Sequence, residues 1–240
     1  MESNIKELIK LSREELNNKI GNTIYDRLKN LFKALILFIT IWFTLEYFMG
    51  YNELINSHPF ILWLLSGITP SVYMIGVLYD SIKYKGDKPF VVVNISNFML
   101  FLILLFIQIV VFRIFGFEID CYYSQMFIFM LLAFLFMELC SVILINLGKI
   151  NKRINELIEL CILPLFAFSG IVFQFSDVSN RYLKAFLKVN PFTYIVHGFR
   201  SGFIYKKWYF EEPKRFAYFA SICLFMLVIL FIISKISKKK

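Results

Sequence analysis

Residues 89–112 read PFVVVNISNFMLFLILLFIQIVVF, twenty-four positions without one charged side chain. Crossing the hydrocarbon core of a bilayer as helix takes about 20 mostly apolar residues, so the stretch is long enough to span. Its apolar residues fall on every side instead of alternating, which excludes the period-two pattern of a membrane barrel strand. The rest of the chain agrees. Of 240 residues, 59% are hydrophobic and 18% charged, whereas a soluble domain is about 45–50% apolar. A soluble globule of this length could not cover so much apolar surface. A disulfide scaffold is also excluded, because Cys121, Cys140, Cys161 and Cys223 are scattered and lie mostly within apolar runs.

Six stretches qualify as spans by this reading: about 31–48, 59–79, 89–112, 121–146, 160–176 and 216–234. Basic residues in the connections orient them. The N-terminal segment carries Lys6, Lys10, Arg13, Lys19, Arg27, Lys29 and Lys33. The second loop has Lys83, Lys85 and Lys88, the fourth Lys149, Lys152 and Arg153, and the tail Lys235, Lys238, Lys239 and Lys240. The first loop has no basic residue and the third only Arg113. Both termini are therefore expected in the cytoplasm. The net charge of +9 records orientation and membrane-surface contact, not nucleic-acid binding.

Two segments are neither span nor plain loop. Residues 178–204 are too polar to span and too apolar to be solvated. Val178, Tyr182, Leu183, Phe186 and Leu187 recur at helical spacing, with Arg181, Lys184 and Lys188 between them. Asn190-Pro191 then breaks the helix, since the residue before proline is pushed out of the α region. A second apolar stretch, 192–204, holds His197 and Arg200. The pattern predicts a re-entrant pair of short helices, with an amphipathic hairpin on the outer surface as the alternative. Residues 1–30 form the other such segment. Ile5, Leu8, Ile9, Leu16 and Ile20 share one helical face, as in a helix lying among lipid headgroups. The chain thus divides into a cytoplasmic amphipathic interface segment, 1–30, and a transmembrane domain, 31–240. Its fold class is an all-α integral membrane protein.

Catalytic chemistry is missing. His58 and His197 stand in unrelated settings, so no catalytic or metal constellation is expected. No Gly-x-x-x-x-Gly-Lys-Ser/Thr phosphate loop occurs, which excludes ATP binding by that route. Glu46 and Glu138 are the acids clearly inside spans, and a carboxylate there costs roughly 2.5–3.5 kcal/mol. Glu46 reads as interfacial. Glu138 must face protein or water, as a hydrogen bond to another span or as a proton relay. Of the many aromatics, Tyr122, Tyr123, Trp208 and Tyr209 suit an interfacial girdle. Others could line a path for a sugar chain.

An amphipathic N-terminal helix, six spans, a short basic loop after the second and a broken hairpin before the sixth resemble the membrane subunits of type-2 ABC exporters. The stretch Asn190-Pro-Phe-Thr-Tyr-Ile-Val-His-Gly-Phe-Arg-Ser-Gly202 is similar to the signature Asn-Pro-Leu-x-x-x-(Val/Ile)-Glu-x-x-Arg, with His197 in place of the acid. Phe60-Ile-Leu-Trp-Leu-Leu-Ser-Gly-Ile-Thr-Pro70 is similar to the Leu-x-x-Gly-x-x-Pro of capsule, O-antigen and teichoic acid permeases. Arg13-Glu-Glu-Leu-Asn-Asn-Lys-Ile-Gly21 matches their N-terminal run loosely, with Ile20 replacing an aromatic.

The resemblance implies a homodimer in the bacterial cytoplasmic membrane that works with two copies of a separate ATPase. ATP and Mg would sit on that partner, with no cofactor and no enzyme activity in this chain. The substrate would be a lipid-linked or lipid-capped polysaccharide. Residues 83–88 would form the coupling helix, giving Asp80, Lys83, Tyr84, Lys85, Asp87, Lys88 and Arg13 as ATPase-coupling residues. Asn190, Pro191, His197 and Arg200 would form the re-entrant motif. The rival readings are an exporter of a drug, ion or small lipid on the same fold, and a membrane-embedded enzyme acting on lipid-linked sugars.

Overall fold

The computed structural model describes residues 2–21, 40, 54–55, 58–86, 89–117, 119, 121–171, 179–206, 208 and 213–237. These form helices α1 (Glu2–Ile20), α2 (Phe60–Ile82), α3 (Phe90–Ile114), α4 (Tyr123–Ile150), α5 (Lys152–Ala167), α6 (Arg181–Val189), α7 (Pro191–Ile204) and α8 (Pro213–Ser237). A two-residue antiparallel ladder, Leu54–Ile55 with His58–Pro59, precedes α2. Among the described residues, four stretches are long and apolar enough to cross a membrane: Phe60–Ile82, Phe90–Ile114, Tyr123–Ile150 and Pro213–Ile233. They correspond to the second, third, fourth and sixth expected spans. The first, 31–48 with Glu46, lies outside the described residues apart from position 40, as do Asp87, Lys88 and the tail 238–240.

α2 and α4 form the centre of the bundle, and α7 lies against both. Within α2, Pro70 removes the N–H that would bond to the Ser66 carbonyl. Flanking hydroxyls turn inward: Thr69 Oγ1 donates to the Leu65 carbonyl at 3.1 Å and Ser71 Oγ to Gly67 at 2.7 Å. α8 packs on α4 but leaves Leu224, Phe225, Val228 and Phe231 exposed. Phe106 and Ile114 of α3 and Phe127 of α4 are likewise bare. These apolar surfaces need lipid or another apolar surface to cover them.

Three expectations are corrected. The fifth span was expected at 160–176, but its helix starts at Lys152 and ends at Ala167, followed by a turn over 168–170. The Asn151 side chain accepts from Arg153 N at 3.0 Å and caps this helix directly behind α4, so the charged first turns belong to it. Sixteen residues reach only about 24 Å, short of the hydrocarbon thickness. The fourth loop correspondingly shrinks to Asn151, with Lys149 inside α4 and Lys152 and Arg153 inside α5. The coupling helix expected over 83–88 is, at 83–86, a turn. Tyr84 N bonds to the Ser81 carbonyl at 3.4 Å, and Gly86 takes φ +87°, which a helix does not allow.

Candidate functional site

The break at 190 is built by one side chain. Asn190 Oδ1 accepts from Phe192 N at 3.0 Å, capping α7, while Pro191 occupies its first helical position. The same amide donates through Nδ2 to the carbonyls of Leu165 and Phe168, each at 3.3 Å. Asn190 therefore starts α7 and satisfies carbonyls left open at the end of α5.

From this anchor α7 runs antiparallel to α4. Phe192 packs on Phe136 (ring centroids 5.5 Å apart) and Tyr194 on Phe129 (5.4 Å). Further along, Gln125 Nε2 donates to the Gly198 carbonyl at 3.0 Å and Tyr122 N to that of Gly202 at 2.6 Å. A Cβ at Gly198 would collide with the Phe129 ring, and one at Gly202 would come within 2.9 Å of Met126 N. Small residues four apart let the two helices lie flush, as in membrane helix pairs.

Arg200 is completely buried. Its Nε donates to Ser66 Oγ at 3.3 Å, Nη1 to the Gly170 carbonyl at 3.1 Å and Nη2 to the Ile171 carbonyl at 3.4 Å. Its Cζ stands 3.8 Å from the centre of the Trp63 ring, a cation–π arrangement in a water-poor setting. Both carbonyls belong to the turn after α5, about thirty residues before the arginine in the chain. His197 packs beside them, and a Cβ at Gly170 (φ +70°) would lie 2.7 Å from its Nε2.

At the cytoplasmic end of the expected topology, α1 is fastened to the bundle. Lys19 Nζ donates to Asp80 Oδ2 at 2.5 Å and to Asn97 Oδ1 at 2.8 Å, and Asn97 Nδ2 donates to the same Asp80 oxygen at 2.7 Å. Lys83 Nζ lies 3.7 Å from Glu159 Oε1, and the Tyr84 ring meets Phe90 edge-on. A cleft of about 710 Å³ opens beside this turn, lined by Tyr84, Lys85, Gly86, Lys149, Asn155 and Glu156 among others. Asn155 Nδ2 reaches the Ile82 carbonyl at 3.5 Å, fixing α5 to the end of α2. Arg13 is exposed on α1 and forms no ion pair among the described residues.

A third group lies within the bundle. Tyr73 Oη donates to Asn94 Oδ1 at 2.7 Å, and Asn94 Nδ2 donates to Glu138 Oε2 at 2.7 Å. This chain ties α2, α3 and α4 together. Among the described residues, no three His, Cys, Asp or Glu side chains could share a metal ion.

Residues 88–204 match the sequence profile of the ABC-2 type transporter family. No curated protein matches the chain. The matched stretch covers α3 to α7, and so holds Asn94, Glu138, Asn190 and Arg200. The Lys19–Asp80 clamp and the turn at 83–86 precede it.

Of the residues read from the sequence, the fold gathers Asn190, His197 and Arg200 about the end of α5. It sets Asp80, Lys83, Tyr84 and Lys85 at the opposite end of α2. It does not bring Glu138 to either group. Trp63, Ser66, Asn94, Asn97 and Asn155 are given no role by the sequence, and Lys19 counts there only among the orienting charges of the N-terminal segment. Asn94 and Asn97 did carry a signal, being amides within an uncharged span, where polar groups seek partners.

Glu138→Gln is expected to hold thermal stability and any transport near wild type, because a Gln carbonyl accepts from Asn94 as the carboxylate does. Glu138→Leu strands the Asn94 amide and should cost about 1–3 kcal/mol. Equal losses in unfolding scans and transport for both variants would make the charge itself essential and point to a relay.

Proposed function

We propose that the protein is the membrane subunit of a bacterial ABC exporter that moves a lipid-linked or lipid-capped polysaccharide, driven by a separate ATPase. Its reach is residues 31–240 as six spans, the fifth made by α5 together with the residues that follow it, with α6 and α7 as the re-entrant pair, both termini in the cytoplasm and two copies per transporter. ATP and Mg belong to the partner. What carries the exporter reading is the family match over 88–204, which begins beside the turn at 83–86. The polysaccharide branch rests on the Asn190–Gly202 stretch and the Phe60–Pro70 stretch.

In this mechanism no bond is made or broken in the chain itself. ATP binding draws two ATPase subunits together, and they bind one arrangement of the spans more tightly than the other. The clamp of Lys19, Asp80 and Asn97 joins α1 to α2 and α3, so a push on α1 or on the turn moves them as one body. Asn155 passes the same displacement to α5, whose far end holds Asn190 and Arg200.

Lys83 and Lys85 are both exposed, while Tyr84 packs on Phe90. Replacing the two lysines by Ala and keeping Tyr84 should leave insertion intact, since the first and third connections stay poor in positive charge. Co-purification of the ATPase and polymer-stimulated hydrolysis should fall together, by about tenfold or more. Wild-type values for both would remove this turn from the coupling surface. Stimulation by a drug or lipid but by no polymer would select the small-molecule reading.

A further inference from the structure

The cleft beside the turn at 83–86 holds a polar atom that the protein leaves unserved. Asn155, near the start of α5, lines the cleft and is nine-tenths buried. Its Nδ2 reaches the Ile82 carbonyl, but its Oδ1 accepts no hydrogen bond among the described residues. A Cβ at Gly148 would collide with Nδ2, so the amide is seated against bare backbone of α4. A buried acceptor without a donor is costly, and the cleft therefore favours an occupant that brings an N–H or O–H.

The other walls show what else that occupant carries. Lys149, in the last turn of α4, and Lys85, past the end of α2, are exposed there and call for an anion. Glu156 adds a carboxylate on the α5 side, which makes a cationic donor the better partner for that wall. Ile145 and Ile150 supply apolar lining. Depth comes from the two long helices. α2 and α4 measure about 34 and 42 Å, against a hydrocarbon core of about 30 Å. Their ends, and the cleft between them, therefore lie in the headgroup layer. Its volume of about 710 Å³ is that of a small-ligand site.

We propose that this cleft binds one phospholipid through a headgroup that joins a phosphodiester to a primary ammonium. The phosphate lies between Lys85 and Lys149, and the ammonium donates to Asn155 Oδ1 and Glu156. Bound in this way, the lipid fastens the ends of α2 and α4 to the start of α5. The inference needs only that α2 and α4 cross the membrane, so it stands or falls apart from the exporter reading.

The test measures binding to the full chain in detergent by native mass spectrometry, with lipids of identical acyl chains. Phosphatidylethanolamine should bind about tenfold more tightly than phosphatidylcholine, whose trimethylammonium keeps the charges but has no N–H to donate. Asn155→Ala should erase that preference. Asn155→Asp keeps the acceptor and the shape and should retain it, which covers an alanine variant that fails to fold. Lys85→Gln with Lys149→Gln should weaken both lipids alike, by about tenfold. Equal binding of the two lipids by the wild-type chain would overturn the proposal. So would a preference that survives Asn155→Ala or is lost in a folded Asn155→Asp. Tighter binding of phosphatidylglycerol than of phosphatidylethanolamine would mark a plain anion site and remove the ammonium from it. Soluble glycerophosphoethanolamine binding as tightly as the lipid would assign the cleft to a free phosphodiester and overturn the lipid assignment.

Discussion

Arg200→Ala is expected to lower stability by about 3–5 kcal/mol and to abolish most transport. The substitution removes the donors for Ser66 Oγ and for the Gly170 and Ile171 carbonyls, and stranded buried acceptors cost about 1–3 kcal/mol each before any relaxation. It also uncovers the Trp63 face and opens a cavity in a fully buried position. Two further variants separate these effects. Arg200→Met keeps much of the volume without donors, so it should recover the packing part alone. Arg200→Lys keeps charge but lacks the planar fork that serves three acceptors in different directions, so it should rescue only partly. Thermal unfolding of the detergent-solubilised chain reads all three. Arg200→Ala melting within a degree of wild type would mean that these carbonyls find water, and that the residue does not hold α7 to α2.

The sequence reveals what this buried arginine needs but not who supplies it. A guanidinium in an apolar stretch must be satisfied, and that is legible from residues 192–204 alone. Its partners come from a turn thirty positions earlier, where Gly170 and Ile171 carry no side-chain signal for their carbonyls. Backbone acceptors are invisible to a reading of residue types. The break at Asn190 is legible because proline constrains its predecessor locally, whereas the bonds from Asn190 to Leu165 and Phe168 depend on where α5 ends.

Span ends were harder than span centres for a related reason. Apolar runs such as 89–112 locate the hydrocarbon core. Helices continue beyond it wherever charged residues can remain hydrogen-bonded in the headgroup region. α4 runs through Lys149 and α5 begins at Lys152, so counting charges as loop overstates the fourth connection. The same holds at the clamp. Lys19 and Asp80 each read as surface charges, and only the packing of α1 on α3 brings them together through Asn97. Periodicity tells which face of a helix is buried, and leaves open which neighbour buries it.

Gly67 supplies the sharpest test of that buried junction. A Cβ built there falls on Nη2 of Arg200 and lies 3.0 Å from its Cζ. Alanine is the better helix former by about 1 kcal/mol, so propensity alone predicts that Gly67→Ala stabilises α2. Packing predicts the reverse. The guanidinium must leave its place over Trp63 or α7 must shift, and overpacking of this kind costs about 1–3 kcal/mol. The two terms separate in a double-mutant cycle. With Arg200→Ala in the background the obstacle is gone, and the added methyl partly fills the cavity while α2 gains propensity. Gly67→Ala should then be neutral or stabilising, a change of sign with a coupling of about 2 kcal/mol. Unfolding measurements on the four proteins decide it. Additive effects would show that the arginine does not lie against Gly67, and the link from α2 through Arg200 to α7 would fall with it.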